Sequence, residues 1–278
     1  MIDFSTLQGV TIPAGVVTQI ERNGVVIWKV AKAGGPVILE VAKVTSDTYA
    51  GETTYTGEQF ILLDIYPKTN GTVSVTYGGL TKAVTDTSGA EEPNAIQVFF
   101  GTFNGVSDSV ETPASGTLTI DGDYYAFGQG SWSQTKSGLS TQHYPCVTEV
   151  ISYGKPTRIP GQAFYKNPIT FAEIPDGVTQ IGMNAFYGTN IEKLVLPKSV
   201  LVLNDAPFAG CGSLRTVEVL ATNPPTSVSV IGLNASIFGV VDSDTFVLER
   251  IIVPAGCLSA YKEATNWSVY ADYIVEAS

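Results

Sequence analysis

Between Thr157 and Val219 the chain writes one phrase of about 22 residues three times: TRIPGQAFYKNPITFAEIPDGV, TQIGMNAFYGTNIEKLVLPKSV and LVLNDAPFAGCGSLRTVEVL. Phe164, Phe186 and Phe208 fall in register at a spacing of 22, as do Ile159, Ile181 and Leu203. Ala163 and Ala185 match too, with Pro207 in the third copy. Ile169/Ile191 and Ile174/Leu196 continue into Leu214 and Val219 after a one-residue slip. A period of this length marks a solenoid. One copy is too short to bury its own apolar side, so Ile181, Phe186, Ile191, Leu194 and Leu196 must pack on their equivalents above and below.

The phrase resembles the BspA-like leucine-rich repeat, whose coils read roughly I-x-x-x-A-F-x-x-C-x-x-L-x-x-I-x-I-P-x-x-V. GMNAFYGTNIEKLVLPKSV carries most of it, APFAGCGSLRTVEVL adds the Gly-Cys-x-Ser-Leu corner, and IPDGV and LPKSV supply the Ile/Leu-Pro step. Asn167-Pro168 stands where the corner of the first copy belongs, so an irregular first coil is expected. After the third copy, Ala221–Pro225 and an Asp-rich insertion at 239–245 stretch the pattern, and Leu248, Ile251, Val253 and Pro254 restore it as a fourth coil. Beyond it, Leu258, Tyr261, Ala264 and Trp267 recur at helical spacing, with Tyr270 and Ile274 following. This ending resembles the V-P-x-x-x-x-x-A-Y-K-x-A-x-x-W close of BspA-like chains and predicts a short helical cap, which a terminal repeat requires.

At the other end, VTIPAGVVTQIE and GVVIWK flank Asn23-Gly24, a hairpin signal. The segment resembles the N-terminal phrase I-P-x-G-V-V-x-x-I-x-x-N-G-x-V-x-W-K of tailed-phage structural proteins, through Ile12, Pro13, Gly15, Ile20, Asn23, Gly24, Trp28 and Lys29. An isolated hairpin is marginal in water. Its apolar side chains, among them Ile12, Val17, Ile20, Ile27 and Trp28, are therefore read as an attachment surface for another protein chain, either a virion component or a further copy of this one in a homo-oligomer.

From Val37 to Gly122, seven short runs (VILEVAK, TTYT, QFILLDIY, TVSVTY, LTKAVT, AIQVFFG and TLTID) are bounded by turn residues. They predict an immunoglobulin-like β-sandwich without a disulfide, with a small barrel as the competing architecture. Val73, Val75 and Tyr77 share one face by alternation. Residues 123–147 read as a connecting loop rich in Gly, Ser, Thr and Gln but also in aromatics. Two readings of Tyr124, Tyr125 and Trp132 stay open: a ligand platform, or a seal between the sandwich and the end of the solenoid. The expected order is thus an attachment segment (1–36), a sandwich (37–122), the aromatic loop (123–147) and a capped solenoid (148–278).

Charge removes several functions. The net charge is −11, with 7 basic against 14 acidic residues before Thr148 and 8 against 12 from there on, so both halves repel a phosphate backbone and no nucleic-acid partner is expected. No run of 18 or more apolar residues offers a membrane span, and Met1 to Gly15 shows neither an early cation nor an apolar core of signal-peptide length. We therefore expect synthesis in the host cytoplasm and no membrane insertion. Cys146, Cys211 and Cys257 are too scattered for a disulfide framework. His143, the single histidine, leaves His143-x-x-Cys146 as the nearest approach to a catalytic or zinc motif, without an orienting partner. Asp121/Asp123 and Asp242/Asp244, spaced as turn carboxylates, are the weak candidates for a glycosidase pair. No cofactor is implied.

The reading that results is a non-enzymatic, mainly β binding protein. The two resemblances together imply a tailed-phage virion protein, on tail or capsid, whose repeats adhere to a host surface protein or glycan. A bacterial surface adhesin and a glycan depolymerase are the alternatives. The candidate ligand residues are Tyr165 and Tyr187, which follow the core phenylalanines at the same repeat position and would stand exposed as a ladder, with Trp132, Tyr124 and Tyr125 beside them.

Overall fold

The computed structural model describes residues 19–22, 25–29, 36–42, 44–45, 59–89, 95–103, 106–107, 115–129, 131–132, 142–143, 146–228, 236–241, 243 and 246–277. These residues are mainly β, with one short α-helix and one 3-10 segment near the C-terminus. Near the N-terminus, Gln19–Arg22 pairs antiparallel with Val25–Lys29, Ile20 opposite Trp28 and Arg22 opposite Val25. That two-residue connection is the one Asn23-Gly24 signals. Ile12 and Val17 lie outside the described residues.

The first half contains two antiparallel sheets. In the first, the strands run in the order Val147–Tyr153, Val37–Ala42, Ser115–Gly122, Thr72–Tyr77 and Leu80–Thr85. In the second, Tyr124–Gln129 lies beside Gln59–Pro67, which pairs with Ile96–Phe103. Strict alternation in Val37–Ala42 and Thr72–Tyr77 turns Val37, Leu39, Val41, Val73, Val75 and Tyr77 inward. There they meet Ile61, Leu63, Ile65, Val98 and Phe100 of the second sheet in one core, with the Tyr77 and Phe100 rings 5.6 Å apart edge to face. Gly78 and Gly79, both at positive φ, make the tight turn that joins Thr72–Tyr77 to Leu80–Thr85. Thr76 and Thr72 close hydroxyl pairs with Thr81 and Thr85 across that hairpin, each at 2.9 Å.

Two segments differ from expectation. Tyr124–Gln129, read from the sequence as loop, is a strand of the second sheet with every side chain buried. Val147–Tyr153, most of which was expected to open the solenoid at 148, pairs antiparallel with Val37–Ala42. Polar spacing hid the first because this strand is covered on both faces, and such a strand shows no alternation.

From Thr157 the backbone stacks in parallel rungs. Ile159 lies beside Ile181 and Ile181 beside Leu203 on one wall. Ala172, Leu194, Val217, Ile251 and Ile274 follow one another on the other. The one-residue slip expected from the sequence is present, Lys193 pairing with Thr216. Phe164, Phe186, Phe208 and Phe238 form a stacked column with centroid separations of 5.1, 5.4 and 6.0 Å. All are buried, Phe186 completely. The first coil is not irregular. Phe171–Glu173 keeps the 22-residue register with Lys193–Leu196, and Asn167 takes the buried corner place that Thr189 and Cys211 hold in the next two coils.

The strand Tyr124–Gln129 also serves as the rung before the first coil. Gln129 N–H donates to the Ala163 carbonyl at 2.8 Å, as Phe164 N–H does to Ala185 and Phe186 N–H to Pro207. Tyr125 accepts from Thr157 N–H at 2.9 Å, as Thr157 does from Thr179. Phe127 meets Phe164 edge-on at 6.1 Å and so begins the aromatic column. Gly128 permits the approach, because a Cβ there would stand 2.8 Å from the Ala163 Cα. Below it, Asn167 is fully buried. Its Oδ1 accepts from Val147 N–H at 2.8 Å, and its Nδ2 donates to Gln129 Oε1 at 2.6 Å.

The cap is less helical than its spacing predicts. The helix Leu258–Glu263 ends where Ala264 turns extended, a 3-10 segment follows at Ser268–Tyr273, and Ile274–Glu276 adds a last parallel rung. Tyr261, Trp267 and Tyr270 are fully buried, and their polar tips reach the backbone. Tyr261 Oη donates to Ala221 O at 2.7 Å, Trp267 Nε1 to Pro225 O at 2.9 Å, and Tyr270 Oη to Gly239 O at 2.9 Å.

Two substitutions test this packing. Phe186→Ala empties the middle of the column and should cost about 3 to 5 kcal/mol in urea unfolding. Asn167→Ala orphans the Val147 N–H and the Gln129 Oε1, and should cost about 2 to 4 kcal/mol although it removes almost no apolar area. Wild-type stability in either variant would contradict the arrangement.

Candidate functional site

The residues singled out in the sequence separate into two groups in the structure. Tyr165 and Tyr187 do form a ladder, with ring centroids 5.3 Å apart and planes 16° from parallel. They are half-buried rather than standing free, because each ring covers its neighbour. Lys166 occupies a left-handed position (φ 57°), its stem lies over Gly188, and its ammonium is 5.2 Å from the centre of the Tyr165 ring. The next coil has Ala209 at the tyrosine position and Gly210 after it. The Tyr187 ring rests on Gly210, whose φ is +68° and where an added Cβ would lie 3.2 Å from the ring. The edge is thus a short aromatic strip flanked by one cation.

Tyr124 and Tyr125 do not belong to an exposed platform. Both are buried in the seam, with the Tyr124 hydroxyl accepting from Lys155 N–H at 3.0 Å and the Tyr125 hydroxyl from Arg158 Nη2 at 3.1 Å. They lie in the seam between the second sheet and the first coil. Burial is the main cause that raises the Tyr124 phenol above its ordinary pKa. Ser131–Trp132 pairs antiparallel with Gln142–His143, but the side chains of both strands lie outside the described residues. The same holds for the side chains of Ile20, Ile27 and Trp28.

Beside the seam opens a cleft of about 460 Å³ that the sequence did not announce. Lys68 and Thr69 line it from the turn after Gln59–Pro67, and Tyr125 from the seam strand. Thr157, Arg158, Thr179 and Gln180 line it from the outer side of the first two rungs. The Arg158 guanidinium stands 4.6 Å over the Tyr125 ring and 5.5 Å from that of Tyr66, and those two rings are 5.8 Å apart. The Tyr66 phenol is pushed up to about 12, first by burial and then by the Asp64 carboxylate, with Arg158 pulling the other way. The Tyr66 phenol is therefore neutral near pH 7. The one hint of this cleft in the sequence was positional: Arg158 and Gln180 share an outward rung position, and Thr157 and Thr179 share the one before it.

The candidates for chemistry are placed elsewhere. Cys146 is fully buried, its thiol donates to Leu62 O at 3.4 Å, and desolvation pushes its pKa up to about 12. Cys211 is the buried corner that its repeat position predicts. Its thiol lies 3.1 Å from Phe186 O, and burial raises its pKa. A thiolate is the reactive species, so neither sulfur is a nucleophile at neutral pH. Asp121, at the end of Ser115–Gly122, and Asp123, in the bend after it, are both exposed, and Asp242 and Asp244 lie outside the described residues. Among the described residues no cluster of three His, Cys, Asp or Glu side chains is close enough to hold a metal ion, and no helix is long and apolar enough to cross a membrane.

Two measurements check this account. In the native protein at pH 8, Ellman's reagent should react readily with Cys257, which is only half-buried, and with the buried Cys146 and Cys211 only after denaturant is added. Gly210→Ala should lower stability by roughly 1 to 2 kcal/mol, since an L-residue is strained at that φ and its methyl meets the Tyr187 ring. Rapid titration of all thiols, or an unchanged Gly210→Ala, would refute the corresponding placement.

Comparison with known families identifies residues 148–238 as a BspA type Leucine rich repeat region, matched in six copies. Among curated proteins, none matches the chain.

Proposed function

We propose that this protein is a non-enzymatic structural component of a tailed-phage virion that displays its leucine-rich repeats for adhesion to the host cell surface or its glycans. The observation that carries the adhesive reading is the BspA-type repeat region itself, a class of repeat that generally serves protein binding and adhesion, here stacked as parallel rungs with an aromatic strip along one edge. Repeat solenoids offer an extended surface, which suits recognition. The virion reading draws its support from the N-terminal phrase around Ile12, Ile20 and Trp28 and from the pairing of Gln19–Arg22 with Val25–Lys29. In it, the hairpin attaches to another virion protein and the solenoid points outward.

We read the first half as immunoglobulin-like on the same footing. Val37–Ala42, Ser115–Gly122 and Thr72–Tyr77 lie side by side as strands B, E and D of such a domain do, and Gln59–Pro67 lies beside Tyr124–Gln129 as C lies beside F. In this role the sandwich is a spacer that carries the repeats away from the attachment point.

A bacterial surface adhesin would use the same repeats, and the two readings part on location. Purified virions should contain the chain, and a version lacking residues 1–29 should be missing from them. For the adhesive surface, Tyr165→Ala combined with Tyr187→Ala should abolish adsorption to host cells while lowering the melting temperature by only a few degrees, because the phenylalanine column beneath is untouched. Adsorption at the wild-type level would exclude the tyrosine strip.

A further inference from the structure

We propose that the cleft between the sandwich and the first two rungs binds an anionic saccharide, meaning a sugar or polyol chain that carries carboxylate or phosphate groups. From the adhesive reading the inference takes only the ligand class, and it places that ligand away from the tyrosine strip.

The lining decides the chemistry. Two cations, Lys68 and Arg158, face one cleft in a chain of 26 acidic and 15 basic residues, and among the described residues no carboxylate lines it. Beside them stand the hydroxyls of Thr69, Thr157 and Thr179 and the amide of Gln180. The Thr157 and Thr179 hydroxyls already donate to the Tyr125 and Thr157 carbonyls, so what they offer a ligand is their acceptor lone pairs, and an apolar ligand lying over them and the two cations would strip water without returning hydrogen bonds, which is costly. A polyol replaces those bonds, and an acidic group on it meets the charges.

The cation is also held in place. Stacking on Tyr125 and Tyr66, together with the 3.1 Å hydrogen bond to Tyr125 Oη, orients the Arg158 guanidinium before any ligand arrives. A planar fork fixed in this way favours a two-oxygen anion such as a carboxylate or phosphate, and less side-chain entropy is lost on binding. Lys68, exposed on the opposite wall, adds a mobile point charge.

Size and spacing point to a chain of rings. The volume of about 460 Å³ lies within the ordinary range for small-ligand clefts. Thr157 and Thr179 are both exposed on successive rungs, and Thr179 N–H donates to Thr157 O at 2.9 Å, so their hydroxyls recur at the strand spacing of about 4.8 Å. That repeat is close to the length of one pyranose unit along a glycan. A nucleic acid is disfavoured by long-range repulsion from a net charge of −11, whereas a short saccharide of low charge density feels little of it beyond a Debye length of roughly 10 Å.

Isothermal titration of the full chain, with a galacturonate oligomer, a glycerol-phosphate oligomer, neutral maltotriose and inorganic phosphate as separate probes, tests the assignment. We expect saturable binding of one anionic oligomer at least about tenfold tighter than maltotriose, the scale of a charge-assisted hydrogen bond. Which oligomer binds identifies the acidic group. Lys68→Ala, Thr179→Val and Arg158→Lys should each weaken that binding several-fold without moving the melting temperature of the first two variants, whose altered side chains are exposed. The Tyr165→Ala, Tyr187→Ala protein should bind as the wild type does, which separates this site from the tyrosine strip. The proposal is overturned if neither oligomer binds, if maltotriose or inorganic phosphate binds as tightly, or if Lys68→Ala and Thr179→Val both leave affinity unchanged.

Discussion

The stacked column that starts at Phe127 and runs through Phe164, Phe186, Phe208 and Phe238 supports everything else in this molecule. A solenoid coil is one chain thick, so no coil can enclose its own phenylalanine, and each ring is dry only because the next coil supplies another at 5.1 to 6.0 Å. Burying such a side chain contributes about 1.5 to 3 kcal/mol, and that contribution vanishes at any end left open to water. Both ends must therefore be closed. At the far end Trp267 and Tyr270 meet Phe238 edge-on at 5.9 and 5.3 Å. At the near end Phe127, from a sandwich strand, does the same for Phe164 at 6.1 Å.

Closing the near end with a strand of the second sheet ties the two halves into one continuous core. Tyr124–Gln129 belongs to both, as a strand paired with Gln59–Pro67 and as the rung to which the first coil bonds. The polar link through Asn167, Gln129 and Val147 is buried and mutually satisfied, so it selects one docking geometry where apolar contact alone would tolerate several. The junction cleft is a by-product of that geometry. Its walls come from segments some 90 residues apart in sequence, Lys68 and Arg158, and their separation depends on the Asn167 joint holding.

The division of labour between the stack and its surface is physical. The column and the wall aliphatics face inward and leave the coil edges and outer rung positions to vary. Tyr165 and Tyr187 on the edge, and Arg158, Gln180, Thr157 and Thr179 on the outer wall, can change without disturbing the stack. Gly210 is the exception, because it carries both a left-handed turn and the underside of the Tyr187 ring.

The repeat, its register and its aromatic column were legible in the sequence, since a 22-residue period repeats the same packing problem and therefore the same residues: Phe164, Phe186 and Phe208 inside, Ile159, Ile181 and Leu203 along one wall. The hairpin at Arg22 and Val25 and the inward face of Val73, Val75 and Tyr77 were legible for the same local reason, a turn signal or an alternation that a few neighbouring residues set by themselves. The tyrosine ladder followed from the period, but its half-burial did not, because the extent to which one ring shields another depends on the angle between coils. What only the tertiary structure decided was the meeting of distant segments. Tyr124–Gln129 reads as loop because it is covered from both sides by partners that no local pattern names. Asn167 reads as a broken corner because the partners that tie it to the seam, Val147 and Gln129, are 20 and 38 residues away. The cleft has no motif at all, for Lys68 and Arg158 are brought to one place only by the packing of the second sheet against the first coil.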